Sequence, residues 1–161
     1  MNQPIDNKNT CCFTGHRDIS YIEKIVLKKK LKRVIDTLIN QGIVYYKAGG
    51  ALGFDTMAAQ AVLKAREKNP AVKLILVLPY LNQAERWNER DQEIYEEIKK
   101  QADEVIFTSQ EYTKGCMFKR NRYLVDNSSC CICYLKKDTG GTAYTVNYAK
   151  SKDLKIINLA E

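Results

Sequence analysis

The sequence predicts an α/β protein: a Rossmann-like, doubly wound, mostly parallel sheet with helices on both faces. Short apolar, strand-like runs alternate with longer segments whose apolar residues recur every three to five positions. Glycines fall repeatedly between a strand and the helix that follows it. At 161 residues the chain has the length of one domain. Alternating strands and helices call for right-handed crossovers and a parallel sheet covered on both sides.

Each element has its own signal. Cys11 to Thr14 reads as the first strand, broken at Gly15. Ser20-Tyr21-Ile22-Glu23 fits a capping box, in which a hydroxyl and a carboxylate satisfy each other's backbone donors at a helix start. The helix behind it carries Ile22, Val26, Leu31, Val34, Ile35 and Leu38 on its expected apolar face and stops near Gly42. Ile43 to Lys47 is the second strand. Asp55 to Lys68 is a helix that turns Met57, Ala58, Ala61, Val62 and Ala65 inward, and Pro70 ends it. Lys73 to Leu78 is the third strand, too short and too β-rich for a helix. A helix follows over Glu85 to Gln101 with Trp87, Ile94 and Ile98, then a fourth strand over Glu104 to Phe107. Phe118 to Asn127 is helical, Cys130 to Leu135 a fifth strand, Thr142 to Lys150 a helix and Leu154 to Asn158 a final strand. No repeat or linker interrupts the pattern. The expectation is one domain over residues 1–161, with residues 1–9 a flexible N-terminus.

Composition removes several classes. Hydrophobic residues at 45% and charged residues at 28% exclude a disordered chain. Apolar runs such as Leu74 to Leu78 are far short of a membrane span, and the polar opening MNQPIDNKNT lacks a signal peptide's apolar stretch. A cytoplasmic protein with no membrane partner is expected. Of the six cysteines, Cys11 and Cys12 are adjacent, as are Cys130 and Cys131. Neighbours on a strand point to opposite faces, so neither doublet chelates. With only one C-x-x-C spacing, Cys130 to Cys133, and a single histidine, His16, no metal site is expected, nor structural disulfides. These cysteines read as small buried hydrophobes.

The net charge is +7, unevenly spread. Arg17 to Arg33 holds seven basic and two acidic residues, and Lys114 to Lys137 six and one. Between Glu85 and Glu104 eight acidic residues face four basic ones. The lysines from Lys28 to Lys32 read as a solvated helix face. Two basic zones nevertheless suit an anionic partner.

In a doubly wound sheet ligands bind beyond the carboxyl ends of the strands, where the strand order reverses. After the first strand comes Thr14-Gly15-His16-Arg17, offering a hydroxyl, a sharp turn and a planar guanidinium suited to phosphate. After the second come Gly49, Gly50 and Gly53, then Asp55 at a helix start, where glycines admit a close ligand and free amides favour an anion. Pro79-Tyr80 follows the third strand. Lys136-Lys137-Asp138-Thr139-Gly140-Gly141-Thr142 follows the fifth and again opens a helix. His16 is read as a hydrogen-bonding rather than an acid–base residue, Trp87 as core or interface, and Tyr144 and Tyr148 as packing on one helix face. G-x-G-x-x-G is missing after the first strand and G-x-x-x-x-G-K-[ST] is absent, so neither a dinucleotide fingerprint nor a P-loop is present.

Together these residues resemble the SLOG superfamily, which groups the DNA-processing protein A fold with the LOG "lysine decarboxylase-like" proteins, and within it the YpsA/YoqJ-like branch of small bacterial and prophage proteins. The resemblance rests on Phe13-Thr14-Gly15-His16-Arg17, Gly50-x-x-Gly53-Phe54-Asp55, Pro79-Tyr80 with Gln83-x-x-x-Trp87-Asn88, Arg120-Asn121-Arg122, and Gly140-Gly141-Thr142-Ala143-Tyr144. It spans about Cys12 to Leu159 in the right order. It implies a domain that binds nucleotides or nucleotide-derived ligands. The LOG enzymes are phosphoribohydrolases with a P-G-G-x-G-T-x-x-E motif, which falls here on Thr139 to Asn147 with Ala143, Tyr144 and Asn147 at its last glycine, threonine and acidic positions. An amide cannot ionise to steady an oxocarbenium-like centre, which puts LOG-type hydrolysis in doubt; Asp55 or Glu85 would have to substitute.

The leading expectation is a binding protein, a sensor or sequestering protein for a phosphorylated, ribose-containing signal. Its pocket would comprise Thr14, Gly15, His16, Arg17, Gly49, Gly50, Gly53, Asp55, Pro79, Arg120, Arg122, Gly140, Gly141 and Thr142, with no catalytic residue assigned and no cofactor. The alternatives are an N-glycosidic enzyme of the phosphoribohydrolase or deoxyribosyltransferase type, and single-stranded DNA binding through the basic zones. A homo-oligomer is expected on fold analogy alone.

Overall fold

Burial along the strands alternates between two separate apolar clusters, and this period of two builds a three-layer molecule. The computed structural model describes residues 6–161. Its elements are β1 (Thr10–Gly15), α1 (Tyr21–Asn40), β2 (Tyr45–Ala48), α2 (Phe54–Lys68), β3 (Lys73–Leu78), α3 (Glu89–Gln101), β4 (Glu104–Phe107), α4 (Cys116–Asp126), β5 (Cys130–Tyr134), α5 (Gly141–Ser151) and β6 (Lys155–Asn158). The strands form one sheet in the order β4-β3-β2-β1-β5-β6, and every pairing is parallel. This is the Rossmann-like α/β fold expected.

The cysteine doublets show how the layers divide. Cys11 and Cys130 are register partners and lie in the cluster formed with α1, α2 and α3. Their neighbours Cys12 and Cys131, also partners, lie in the cluster formed with α4 and α5. All six cysteines are buried and unpaired. β1, β2, β3 and β5 are almost wholly buried, as a parallel sheet with both faces covered requires.

Three features depart from the sequence pattern. In α1 the buried face is Leu27, Leu31, Ile35 and Leu38, whereas Ile22 is 75% and Val26 50% exposed. The start of α1 reaches past the rim of the sheet, where Glu23 pairs with Lys136 beyond the end of β5, so its apolar groups have no layer beneath them. The expected helix from Glu85 begins instead at Glu89, because the Asn88 side chain accepts from the Asp91 N–H at 2.8 Å and caps it. Trp87 therefore sits in the preceding turn, edge-on to Tyr95 with ring centroids 5.2 Å apart. Of the segment expected to be flexible, residues 1–5 lie outside the described residues. Asn7–Asn9 form a 3-10 turn capped by Asp6, and the Asn7 amide donates to the Asp126 carbonyl at 2.9 Å. Among the described residues no helix is long and apolar enough to cross a membrane.

The loops after β1 and β2 are pressed together. Gly53 has a φ of +75°, and a Cβ there would lie 2.2 Å from the Arg17 carbonyl oxygen. Gly42 has a φ of +92° with nothing within 4 Å of its Cβ position. Gly42→Ala is expected to cost about 1 kcal/mol, the left-handed backbone alone. Gly53→Ala adds a backbone clash and is expected to cost about 3 kcal/mol. Urea unfolding of the two variants checks the difference.

Candidate functional site

The strand order reverses beside β1: β2, β3 and β4 extend to one side, β5 and β6 to the other. Adjacent loops part where this happens and leave a crevice at the carboxyl ends. A cleft of about 600 Å³ occupies that place, a size suited to a small-molecule ligand.

One wall is the chain leaving β1, from Thr14 to Asp18. Gly15 is required there because a Cβ would meet the Phe54 ring at 2.4 Å. The backbone of this loop is tied to α2 by the Phe54 N–H, which donates to the His16 carbonyl at 3.1 Å. The opposite wall is the chain leaving β5: Lys136, Lys137, Thr139, Gly140, Gly141 and Thr142. His16 joins the two walls, its Nε2 accepting from the Lys136 N–H at 2.9 Å. Burial, Lys137 and Lys136 together hold the imidazole below its ordinary 6.5, which favours the neutral acceptor. Lys136 also pairs with Glu23 and holds that carboxyl down at about 2. Arg17 and Lys137 carry no ion pair among the described residues. Gly140, at a φ of +97°, precedes α5 with no side chain to cap it, so the first-turn amides present an uncapped positive end to the cleft.

The floor is Ala51, Asp55, Met117, Arg120 and Asn121. Arg120 is 4% and Asp55 7% exposed. The Arg120 guanidinium donates to the Gly49 carbonyl through Nη1 and to Asn121 Oδ1 through Nε, the latter at 2.7 Å. Asp55 accepts from the Ala51 N–H at 3.2 Å. Burial raises the Asp55 carboxyl, opposed by Arg120, the Ala51 amide and Arg17. Burial likewise works against the Arg120 charge, and Asp55 is its chief support. Each group's ionisation rests on the other.

Of the residues expected to form a pocket, Thr14, Gly15, His16, Arg17, Asp55, Arg120, Gly140, Gly141 and Thr142 line this cleft. Gly49, Gly50, Gly53, Pro79 and Arg122 do not. The glycines after β2 lie against close protein neighbours. A Cβ at Gly49 would lie 2.7 Å from Arg120 Nη1 and 2.9 Å from Asp55 Oδ2, one at Gly50 2.4 Å from Leu78, and Gly53 backs onto Arg17. Pro79 follows β3, two strands from the crevice. Arg122 projects from the other side of α4, where it donates to the Tyr144 hydroxyl at 3.2 Å. The expected pocket left out Phe13, Asp18, Ala51, Met117, Asn121, Lys136, Lys137 and Thr139, which also line the cleft. The two lysines were legible from their place directly after the fifth strand; Met117 and Asn121 share Arg120's face of α4, which only a correct helix phase reveals.

A six-stranded parallel sheet with a polar, largely basic cleft at its switch point defines a Rossmann-like α/β protein of the kind seen in DNA processing protein A. DNA processing protein A from Helicobacter pylori, described for its single-stranded DNA binding mode, superposes with a TM-score of 0.68 over 94% of this chain at 20% identity. The Streptococcus pneumoniae protein gives 0.67 over 92% at 17% identity. This chain spans 65% and 49% of those two proteins, and at such identities the likeness is one of fold. The chain belongs to the YspA SLOG family, which matches residues 11–158. UPF0398 proteins of Bacillus pumilus and Bacillus cereus strain G9842 are 31% and 33% identical over 128 and 129 residues, covering 78% of this chain and 69% and 70% of theirs.

Arg120→Met removes the cation facing a buried carboxylate. It is expected to lower stability by about 3 kcal/mol near pH 7. The loss is expected to shrink as the pH is lowered to 4, because Asp55, raised above its ordinary value by burial, takes up a proton more readily and a neutral carboxyl needs no cationic partner. Urea melts of both proteins at the two pH values measure this.

Proposed function

We propose that the cleft binds a nucleotide-derived ligand through its phosphoryl group. The observation that carries this reading is the convergence, at the β1/β5 switch point, of Arg17, Lys137 and the uncapped start of α5 on one cleft. A helix start and a guanidinium together make a phosphoryl site, since amide donors and a planar cation match its oxygens. Thr14 and Thr142 add hydroxyls. Asp55, at the floor, accepts from a ribose hydroxyl when ionised or donates to a carbonyl when protonated. Hydrolysis of a glycosidic bond is the weaker reading. Asn147 is exposed and does not line the cleft, and Glu85 is exposed in the turn before α3, which leaves Asp55 and Asp18 as the carboxylates of the cleft. The single-stranded DNA binding described for the Helicobacter protein makes a nucleic acid strand the second reading.

Titration calorimetry with nucleoside monophosphates, ADP-ribose and NAD tests the proposal. At least one is expected to bind, and Arg17→Ala to weaken it about tenfold or more. Absence of heat with all of them sinks the reading, and release of free base would move it to the enzyme class. The single histidine supplies a second check by NMR: a phosphoryl group beside His16 favours the imidazolium, so its depressed pKa is expected to rise on binding.

A further inference from the structure

Outside the cleft, α4 and α5 carry a second surface that packing does not account for. Phe118 is 41% and Tyr144 38% exposed. Their rings meet edge to face with centroids 4.6 Å apart. One turn along α5, the Tyr148 ring lies parallel to that of Tyr144 within 1°, its centroid 6.5 Å away. Phe118 and Tyr144 border an open depression of about 420 Å³ together with Lys114, Lys119 and Arg122. Arg122 is held there by the Tyr144 hydroxyl, and the Lys152 ammonium sits 5.5 Å from the Tyr148 ring centre. Asp126, the one acidic residue between Lys114 and Lys137, accepts from the Tyr148 hydroxyl at 2.7 Å.

Aromatic faces set among cations are poorly matched to an apolar protein surface, which would have to bury those charges unpaired. They are well matched to unpaired bases on a phosphate backbone, where rings stack and cations track the charge. Paired bases would hide the faces the rings need. We propose that this ledge seats the bases of a single-stranded nucleic acid whose backbone continues into the cleft. The two surfaces share their helices: α4 turns Met117, Arg120 and Asn121 to the cleft and Phe118, Lys119 and Arg122 to the ledge. α5 opens at the cleft and presents Tyr144 to the ledge. A helix with its side chains is about 10–12 Å across, a distance that a few nucleotides of a single strand can span.

The inference rests on the reading of the cleft as a phosphoryl site, and the test separates the two. Fluorescence anisotropy on the full chain compares a fluorescein-labelled oligo-dT of about fifteen nucleotides with an abasic strand of the same length and charge. The oligo-dT is expected to bind at least tenfold more tightly. The double variant Phe118→Ala, Tyr144→Ala is expected to remove that preference and leave mononucleotide binding in the cleft unchanged. Equal binding of the two strands overturns the ledge and needs no variant; so does a variant that keeps the preference. Mononucleotide binding with no preference for bases overturns the ledge alone. A base preference that depends on the ledge without mononucleotide binding upholds the ledge and removes the small-ligand reading. Binding of neither removes both.

Discussion

The site depends on one buried guanidinium. Arg120 comes from α4, on one side of the sheet, and reaches the Gly49 carbonyl at the end of β2 and the neighbourhood of Asp55 on α2, which packs on the other side. A charge this deep is tolerated only because a carboxylate and a backbone oxygen face it. That constraint fixes the phase of α4, and with it which residues look into the cleft. It also explains Gly49, because any side chain there would enter the space the guanidinium and Asp55 already fill.

Around this anchor the cleft is built by close backbone approach. Gly15 lies against the Phe54 ring and Gly53 against the Arg17 carbonyl. The loop that carries Arg17 is therefore wedged onto the start of α2, with the His16 carbonyl occupying one amide of that helix. The start of α2 is thus spent on the protein's own chain, while the start of α5 stays uncapped. Two helix starts that look alike in sequence have different uses for this reason. The cations differ similarly: Glu23 neutralises Lys136, which leaves Arg17 and Lys137 to set the potential of the opening.

Much of this is legible in the sequence. The strand-to-helix alternation implied a parallel sheet, and the cysteine doublets implied strands with two buried faces, because strand geometry is local and has a period of two. Residues directly following a strand could be assigned to one rim, which placed Thr14 to Arg17 and Gly140 to Thr142 together. Gly49, Gly50 and Gly53 met the same criterion and lie against protein neighbours, since a glycine signals close approach without saying by what. Arg120 and Arg122 stood equal in sequence and face opposite sides of α4. Tyr144 and Tyr148 looked like packing residues, yet Tyr144 is part of an open surface.

The sequence by itself determined the fold class, the order of the elements and the edge of the sheet where chemistry belongs, because hydrophobic period and turn chemistry act over a few residues. Which strands flank the switch point, which arginine is buried, and which helix start stays open were decided only by the tertiary structure. Those choices depend on pairing between segments far apart in the chain, such as β1 with β5 and Arg120 with Gly49. No local pattern encodes the partner on the far side of a layer.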